Sequence, residues 1–254
     1  MLPWASVASV LVLFEALPRV GLLPVRHFPP ISLILASLGA ELGHTSFWIA
    51  VGNTLRGWAL GVVIAAAVAI PLGIVLGSSR LLYRAGRVSI EFLRPIPSVA
   101  LIPLAILIYG TGLESKVFLA AFASFWQLLL QTLYGVQDVD PVATDTARSF
   151  GFSRGQLLLR VTLPSATPYI ATGLRIASTV SLILAVTAEL VIGSQGLGRE
   201  INVARQGGNV ELMYALIITT GLLGWVLNGL FVRAERRVLH WHPSHRPSQE
   251  AAPA

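Results

Sequence analysis

The sequence contains no cysteine and a single lysine, Lys116. Without cysteine there is no disulfide framework, no thiolate nucleophile and no thiol-ligated metal site, and nothing marks a redox compartment. With one lysine, in Glu114-Ser115-Lys116-Val117, there is no Gly-x-x-x-x-Gly-Lys-Ser/Thr loop to cradle nucleotide phosphates, so the chain cannot hydrolyse ATP by that machinery. Charge is scarce as well. Only 12% of the 254 residues are Asp, Glu, Lys or Arg, against the roughly 25% that a soluble surface needs. Hydrophobic residues make up 54% and the mean hydropathy is +0.73, so the chain reads as an integral membrane protein.

The net charge of +6 and the isoelectric point near 10.5 do not point to nucleic acid. The arginines stand in short clusters between apolar runs rather than along one basic face. Such clusters are topology signals. A bilayer core of roughly 30 Å needs about 20 helical residues, and about six apolar runs approach that length, predicting an all-α polytopic bundle. The first runs from Trp4 to about Leu23, interrupted by Glu15, Pro18 and Arg19. Residues 1–10 carry no Lys or Arg and no small-residue cleavage pattern, so it reads as a retained span. Residues 24–52 predict an external segment with a short surface helix, in which His27 and His44 lack metal-ligand spacing. The second span is expected from about Thr54 to Gly77, the third from Arg94-Pro95-Ile96-Pro97 to Tyr109, the fourth from about Val117 to Gly135. The fifth follows Pro164 and Pro168 to about Ile192, the sixth covers about Leu212 to Val232, and a basic tail, disordered past His245, closes the chain. The glycine-rich stretch from Gly193 to Gly208 is expected to be a flexible external loop.

Arg80, Arg84, Arg87, Arg148, Arg154, Arg160, Arg233, Arg236, Arg237 and Arg246 then fall on one side, against Arg26, Lys116, Arg199 and Arg205 on the other. The positive-inside rule puts the richer side, and both termini, in the cytoplasm. Three regions result: residues 1–53, a core membrane domain at 54–235 and a cytoplasmic tail at 236–254.

Within the core, Asp145–Pro164 is polar and bears three arginines between apolar runs. Asp140-Pro141 opens a short helix, Gly151 breaks it, and Ser153 with Gln156 forms a capping-box pattern that starts a second helix, expected to end at Pro164. The product is a cytoplasmic helix-turn-helix knuckle able to dock into a soluble partner. Polar residues inside the spans are few. Gln127 and Gln131 share one helical face and either glue helices together or line a polar path. Pro95, Pro97 and Pro103 either open irregular backbone beside a transport path or merely bend a helix to fit its bundle. Arg175 and Glu189, about 21 Å apart along a helix, cannot pair with each other. Each needs its own partner or snorkels to an interface.

The polar segment resembles the cytoplasmic loop signature of the membrane subunits of bacterial ABC importers: Glu-Ala-Ala, three residues, Gly, nine residues, Ile-x-Leu-Pro. Here it stands as Asp145-Thr146-Ala147, Gly151 and Val161-Thr162-Leu163-Pro164. Further stretches are similar to the permeases that serve nitrate, taurine, aliphatic sulfonates and bicarbonate. They are Thr54-Leu55-Arg56, Leu93 to Ala100 with Pro103-Leu104, Gly112 to Lys116, Thr172 to Arg175, Ala188-Glu189 and Gly196-Leu197-Gly198. The resemblance covers roughly residues 50–235. It implies the type I ABC importer permease fold in a bacterial inner membrane, a homodimer, two cytoplasmic ATPase subunits that bind ATP and Mg, and an external solute-binding protein. It makes 138–164 a coupling loop, carried by Asp145, Thr146, Ala147, Gly151, Val161, Leu163 and Pro164. By the same implication Ser98, Gln127, Gln131, Arg175, Ser178, Thr179 and Glu189 are candidates for the lining of a path for a small anion. No cofactor, metal or catalytic residue is expected in the chain itself.

Two other functional classes fit the sequence less well. An ion-coupled carrier or channel would need relay charges at mid-membrane, and the spans hold almost none beyond Arg175 and Glu189. An intramembrane hydrolase would need a nucleophile with a base or paired aspartates inside spans, whereas Asp138, Asp140 and Asp145 all fall in the polar segment.

Overall fold

The computed structural model describes the backbone of residues 2–239 and their side chains apart from residues 2–5 and 7. The tail past His245 and Arg246 therefore lie outside the described residues. Every regular element among them is helical: α1 (Leu2–Arg19), α2 (Ile31–Glu41), α3 (Thr45–Ser78), α4 (Arg80–Leu93), α5 (Ile102–Tyr109) and α6 (Leu113–Gln137). They continue with α7 (Pro141–Ser149), α8 (Arg154–Leu157), α9 (Leu163–Ile192), α10 (Leu197–Gln206) and α11 (Val210–Val238). Among the described residues four helical segments are long and apolar enough to cross a bilayer, and a fifth crossing is made if the bent pair of α4 with Ser98–Tyr109 counts as one. The expected six would also require α1, which is not in that group. Glu15 and Arg19, which interrupt α1 in sequence, pair at 2.6 Å, and Glu15 accepts from the backbone and hydroxyl of Ser32 on α2.

The centre of the bundle is α6, packed between α3 and α9. Added methyl groups at Gly57, Gly61, Gly73 and Gly77 of α3 would collide with Lys116, Ala120, Thr132 and Val136 of α6. These four pairs keep one constant offset, so α3 and α6 run parallel. Small residues bring the backbones this close, which is how helices gain packing energy in lipid, where burying apolar surface gains nothing. On the other side, Gly173 of α9 meets Gln131 and Leu128, and Gly135 of α6 meets Tyr169.

Several boundaries differ from expectation. The second span starts at Thr45, nine residues early, because residues 45–53 continue the helix without a break. Arg80, Arg84 and Arg87, which follow the second span, lie on a helix of their own; its first turn is capped by Ser79, which accepts from Leu82 N at 3.4 Å. The chain then turns through 79° over Arg94-Pro95-Ile96-Pro97. Pro95 and Pro97 have no N–H to continue the helical ladder, so α4 ends there, with Arg94 itself still helical and donating to the Ile90 carbonyl. The eight residues of α5 measure only about 12 Å. Only together with α4 can it return the chain so that α6 runs parallel to α3. The stretch expected as a flexible loop contains α10, four of whose residues are buried.

Candidate functional site

The most polar buried cluster lies where α3, α6, α9 and α10 meet. Lys116 and Glu189, at 1% and 0% exposure, pair at 2.8 Å. Lys116 Nζ also donates to the carbonyls of Asn53 (3.0 Å) and Gln195 (2.9 Å), so all three of its protons are used. The other Glu189 oxygen accepts from the hydroxyl of Thr54 and the amide of Gly198, both at 2.9 Å, and Thr54 in turn accepts from Leu197 N. Glycine is required around the carboxylate. Gly196 has φ +155°, and a methyl there would sit 2.0 Å from Glu189 Oε1; a methyl at Gly198 would strike the carbonyl of Val186. Four stretches far apart in sequence, Thr54-Leu55-Arg56, Gly112 to Lys116, Ala188-Glu189 and Gly196 to Gly198, thus build one satisfied ion-pair network. Lys116, expected in an external turn, is the centre of it, and it is the partner Glu189 lacked.

The opposite end of α6 carries a cleft of about 760 Å³ lined by Gln131, Asp138, Asp140, Ser165, Tyr169 and Thr172 among others. Tyr169 donates to the Asp138 carboxylate across it. Of the candidate path residues, Gln131 is in this cleft. Gln127 is half-buried one turn away on the same helix, and Ser98 is half-buried at the first position of the 3-10 turn leading into α5. Ser178 is buried, its hydroxyl and carbonyl both accepting from Trp58 Nε1. Thr179 is exposed and bonds its own helix at the Arg175 carbonyl. Arg175 approaches Glu235 of α11 at 3.8 Å. The seven residues do not converge: Glu189 is sealed at the far end, and Arg175 has a partner from another helix.

Beside this cleft stands the knuckle. Asp140 caps α7 by accepting from Val142 N at 2.8 Å, with Pro141 in the first turn. Gly151 takes φ +79°, and its amide and that of Phe152 fold back onto the carbonyls of Arg148 and Ala147. Both halves of the Ser153–Gln156 capping box form. Pro164 does not end the second helix: α8 continues through a wide turn at Leu158–Thr162 into α9, with Pro164 in its first turn. The wider turn relieves the clash that a proline ring makes with the carbonyl four residues before it. Asp145, Thr146, Gly151 and Pro164 are exposed, Val161 and Leu163 half-buried, and Ala147 packs inside the knuckle. Asp145 pairs with Arg148 at 3.1 Å. Phe150, Val142 and Leu159, which no motif singled out, stand 79%, 71% and 65% exposed around the same turn.

Residues 69–240 match the family of binding-protein-dependent transport system inner membrane components. The chain belongs to that family. As a permease of this class it is a multi-pass membrane transport subunit of an ABC importer and not an enzyme, with ATP hydrolysis in a separate chain. It is 31% identical over 243 residues to the taurine transport system permease protein TauC of Escherichia coli (strain K12), covering 93% of this chain and 88% of TauC. To the nitrate import permease protein NrtB of Leptolyngbya laminosa it is 34% identical over 193 residues, 76% of this permease and 68% of NrtB. Among solved structures, a bacterial ABC transporter involved in the import of the acidic polysaccharide alginate aligns with a TM-score of 0.67 at 16% identity. That alignment covers 93% of this permease and 96% of the matched chain, and it shows the shared fold.

Proposed function

We propose that this permease carries a small oxyanion, of the nitrate or sulfonate class, and that two copies form the path, driven by two cytoplasmic ATPase subunits that bind ATP and Mg and fed by an external solute-binding protein. The observation that carries the coupling role is the knuckle itself: a basic, capped turn whose large apolar side chains, Phe150 foremost, face outward at one end of the bundle. Such side chains on a polar surface suit a protein groove. Asp145, Thr146, Ala147, Gly151, Val161, Leu163 and Pro164 set its shape, while Phe150, Val142 and Leu159 make the contact. The knuckle end is cytoplasmic in this reading and both termini lie on that side, which makes α1 a sixth crossing beyond the five that length and hydropathy give.

The anion class is supported by the names of the relatives and by the low acidity of the spans. Between the two ends the bundle core is closed by close-packed glycine contacts, so the path runs along the face shared with the second copy. Gln127 and Gln131 are its polar lining, with Ser98 beside the bend and Arg175 and Thr179 toward the cytoplasm. Ser178 and Glu189 hold the scaffold. The test is uptake of nitrate and of an alkanesulfonate into vesicles holding the full complex: ATP-dependent accumulation of one of them supports the reading. Accumulation that survives ATP removal and collapses with the ion gradient would favour the ion-coupled carrier.

A further inference from the structure

We propose that the end of the permease opposite the knuckle holds a receiving site for a small oxyanion, built by Arg56, Arg199 and Ser194. The inference rests on the anionic-solute reading above and names a place for that solute outside the membrane path. The knuckle and this site are separated by the length of α6: Val136 borders the knuckle and Lys116 this site, about 30 Å apart.

The site is a cleft of about 430 Å³ between the third turn of α3, the start of α6, the link from α9 to α10 and the start of α10, within the size range of small-ligand sites. Arg56 and Arg199 line it and are exposed, and neither makes an ion pair among the described residues. Asn53, Thr111 and Gln195 add neutral polar groups. Lys116 also borders the cleft, but its charge is cancelled by Glu189. No carboxylate lines it; Glu114, exposed beside Gly112 at the rim, leaves a net positive charge.

Two features distinguish this from a scatter of surface arginines. Ser194 is 6% exposed, lines the cleft, and its hydroxyl is buried without a partner. A buried hydroxyl left unpaired is costly, and a ligand oxygen in the cleft would accept its proton. Arg199 occupies the first turn of α10, where the helix dipole is positive and a cation is electrostatically misplaced. An anion between Arg199 and Arg56 removes that penalty. The planar guanidinium forks match the geometry of nitrate or a sulfonate group, and no covalent step is involved. The cleft would raise the local concentration of the solute at the mouth of the path.

The test uses the full complex in lipid nanodiscs, without the solute-binding protein, titrated calorimetrically with sodium nitrate and sodium ethanesulfonate. Saturable binding of one anion is expected in the wild type, weakened at least tenfold in Arg56→Gln and Arg199→Gln, several-fold in Ser194→Ala, and to a degree between wild type and Arg56→Gln in Arg56→Lys, which keeps the charge but loses the fork. No saturable binding, or binding unchanged in all of these variants, overturns the proposal. If the arginine variants instead weaken association of the solute-binding protein while anion binding stays as it was, the arginines hold carboxylates of that partner and the receiving site is wrong. ATP-driven anion uptake by the wild type without variant-sensitive binding sinks this site alone, whereas ATP-driven uptake of neither anion sinks the solute reading.

Discussion

The decisive residue-scale feature is that the chain's only lysine is spent on a buried ion pair. Removing one member of such a pair strands a charge in a dry interior, at a cost of about 3–5 kcal/mol. Lys116→Met is therefore expected to lower the unfolding temperature of the purified protein steeply and Glu189→Met to do likewise. Lys116→Met with Glu189→Met together should recover much of the loss, because no lone charge remains. A double variant as unstable as the worse single one would mean that the hydrogen bonds to Thr54 and Gly198, not the charges, hold the site. The close contacts of α3 make a second prediction. Gly61→Val drives two methyl groups toward Ala120 and Ser181, and overpacking of this kind costs about 1–3 kcal/mol, read as a lower midpoint in a detergent thermal melt. Neither the pairing nor the glycine register was legible beforehand. Lys116 and Glu189 lie 73 positions apart, and no periodicity links them. What was legible was chemical: a charge inside a span requires a partner, and Glu189 has one.

At the scale of elements, local signals carried the knuckle. Asp140 before Pro141, Gly151 at a left-handed turn and the Ser153–Gln156 box each act within four residues, and all three form as their chemistry dictates. Pro164 misled because a proline's effect depends on the turn before it: a widened turn accommodates the ring and the helix runs on into α9. The third span was obscured for a related reason. Its first half, α4, is amphipathic and arginine-bearing and looks like a loop, and only the 79° bend reveals it as one half of a broken crossing. Two predictions belong here. Ser153→Ala removes the cap and should cost about 1 kcal/mol locally, visible as faster amide exchange in Arg154–Leu157 with the spans unchanged. Gly151→Val forces a β-branched side chain into φ +79° and should abolish ATP-coupled uptake while leaving the helical circular dichroism and the detergent elution intact. Normal uptake in that variant would remove the knuckle from the coupling step.

On the scale of the whole molecule, the parallel run of α3 and α6 separates two differently built ends by about the thickness of a bilayer core. One end is locked by the Lys116–Glu189 network, and the other carries the cleft at Gln131 and the exposed knuckle. Composition and charge clusters were enough to place the protein in a membrane as a helical bundle, because lipid leaves a backbone few alternatives. They could not give the number of crossings, since the hydropathy of a run says little about a span that is bent in two. Coupling requires the knuckle to be the seat of a separate ATPase. The most direct measurement is mild-detergent purification of the tagged protein from its native membranes after crosslinking, with mass spectrometry of the proteins that come with it, in the wild type and in Phe150→Asp. The expected result is a co-purifying chain that carries a Gly-x-x-x-x-Gly-Lys loop, crosslinked to the knuckle and lost in Phe150→Asp. A folded protein that brings no such chain after crosslinking, or one that keeps it undiminished in the variant, would contradict it.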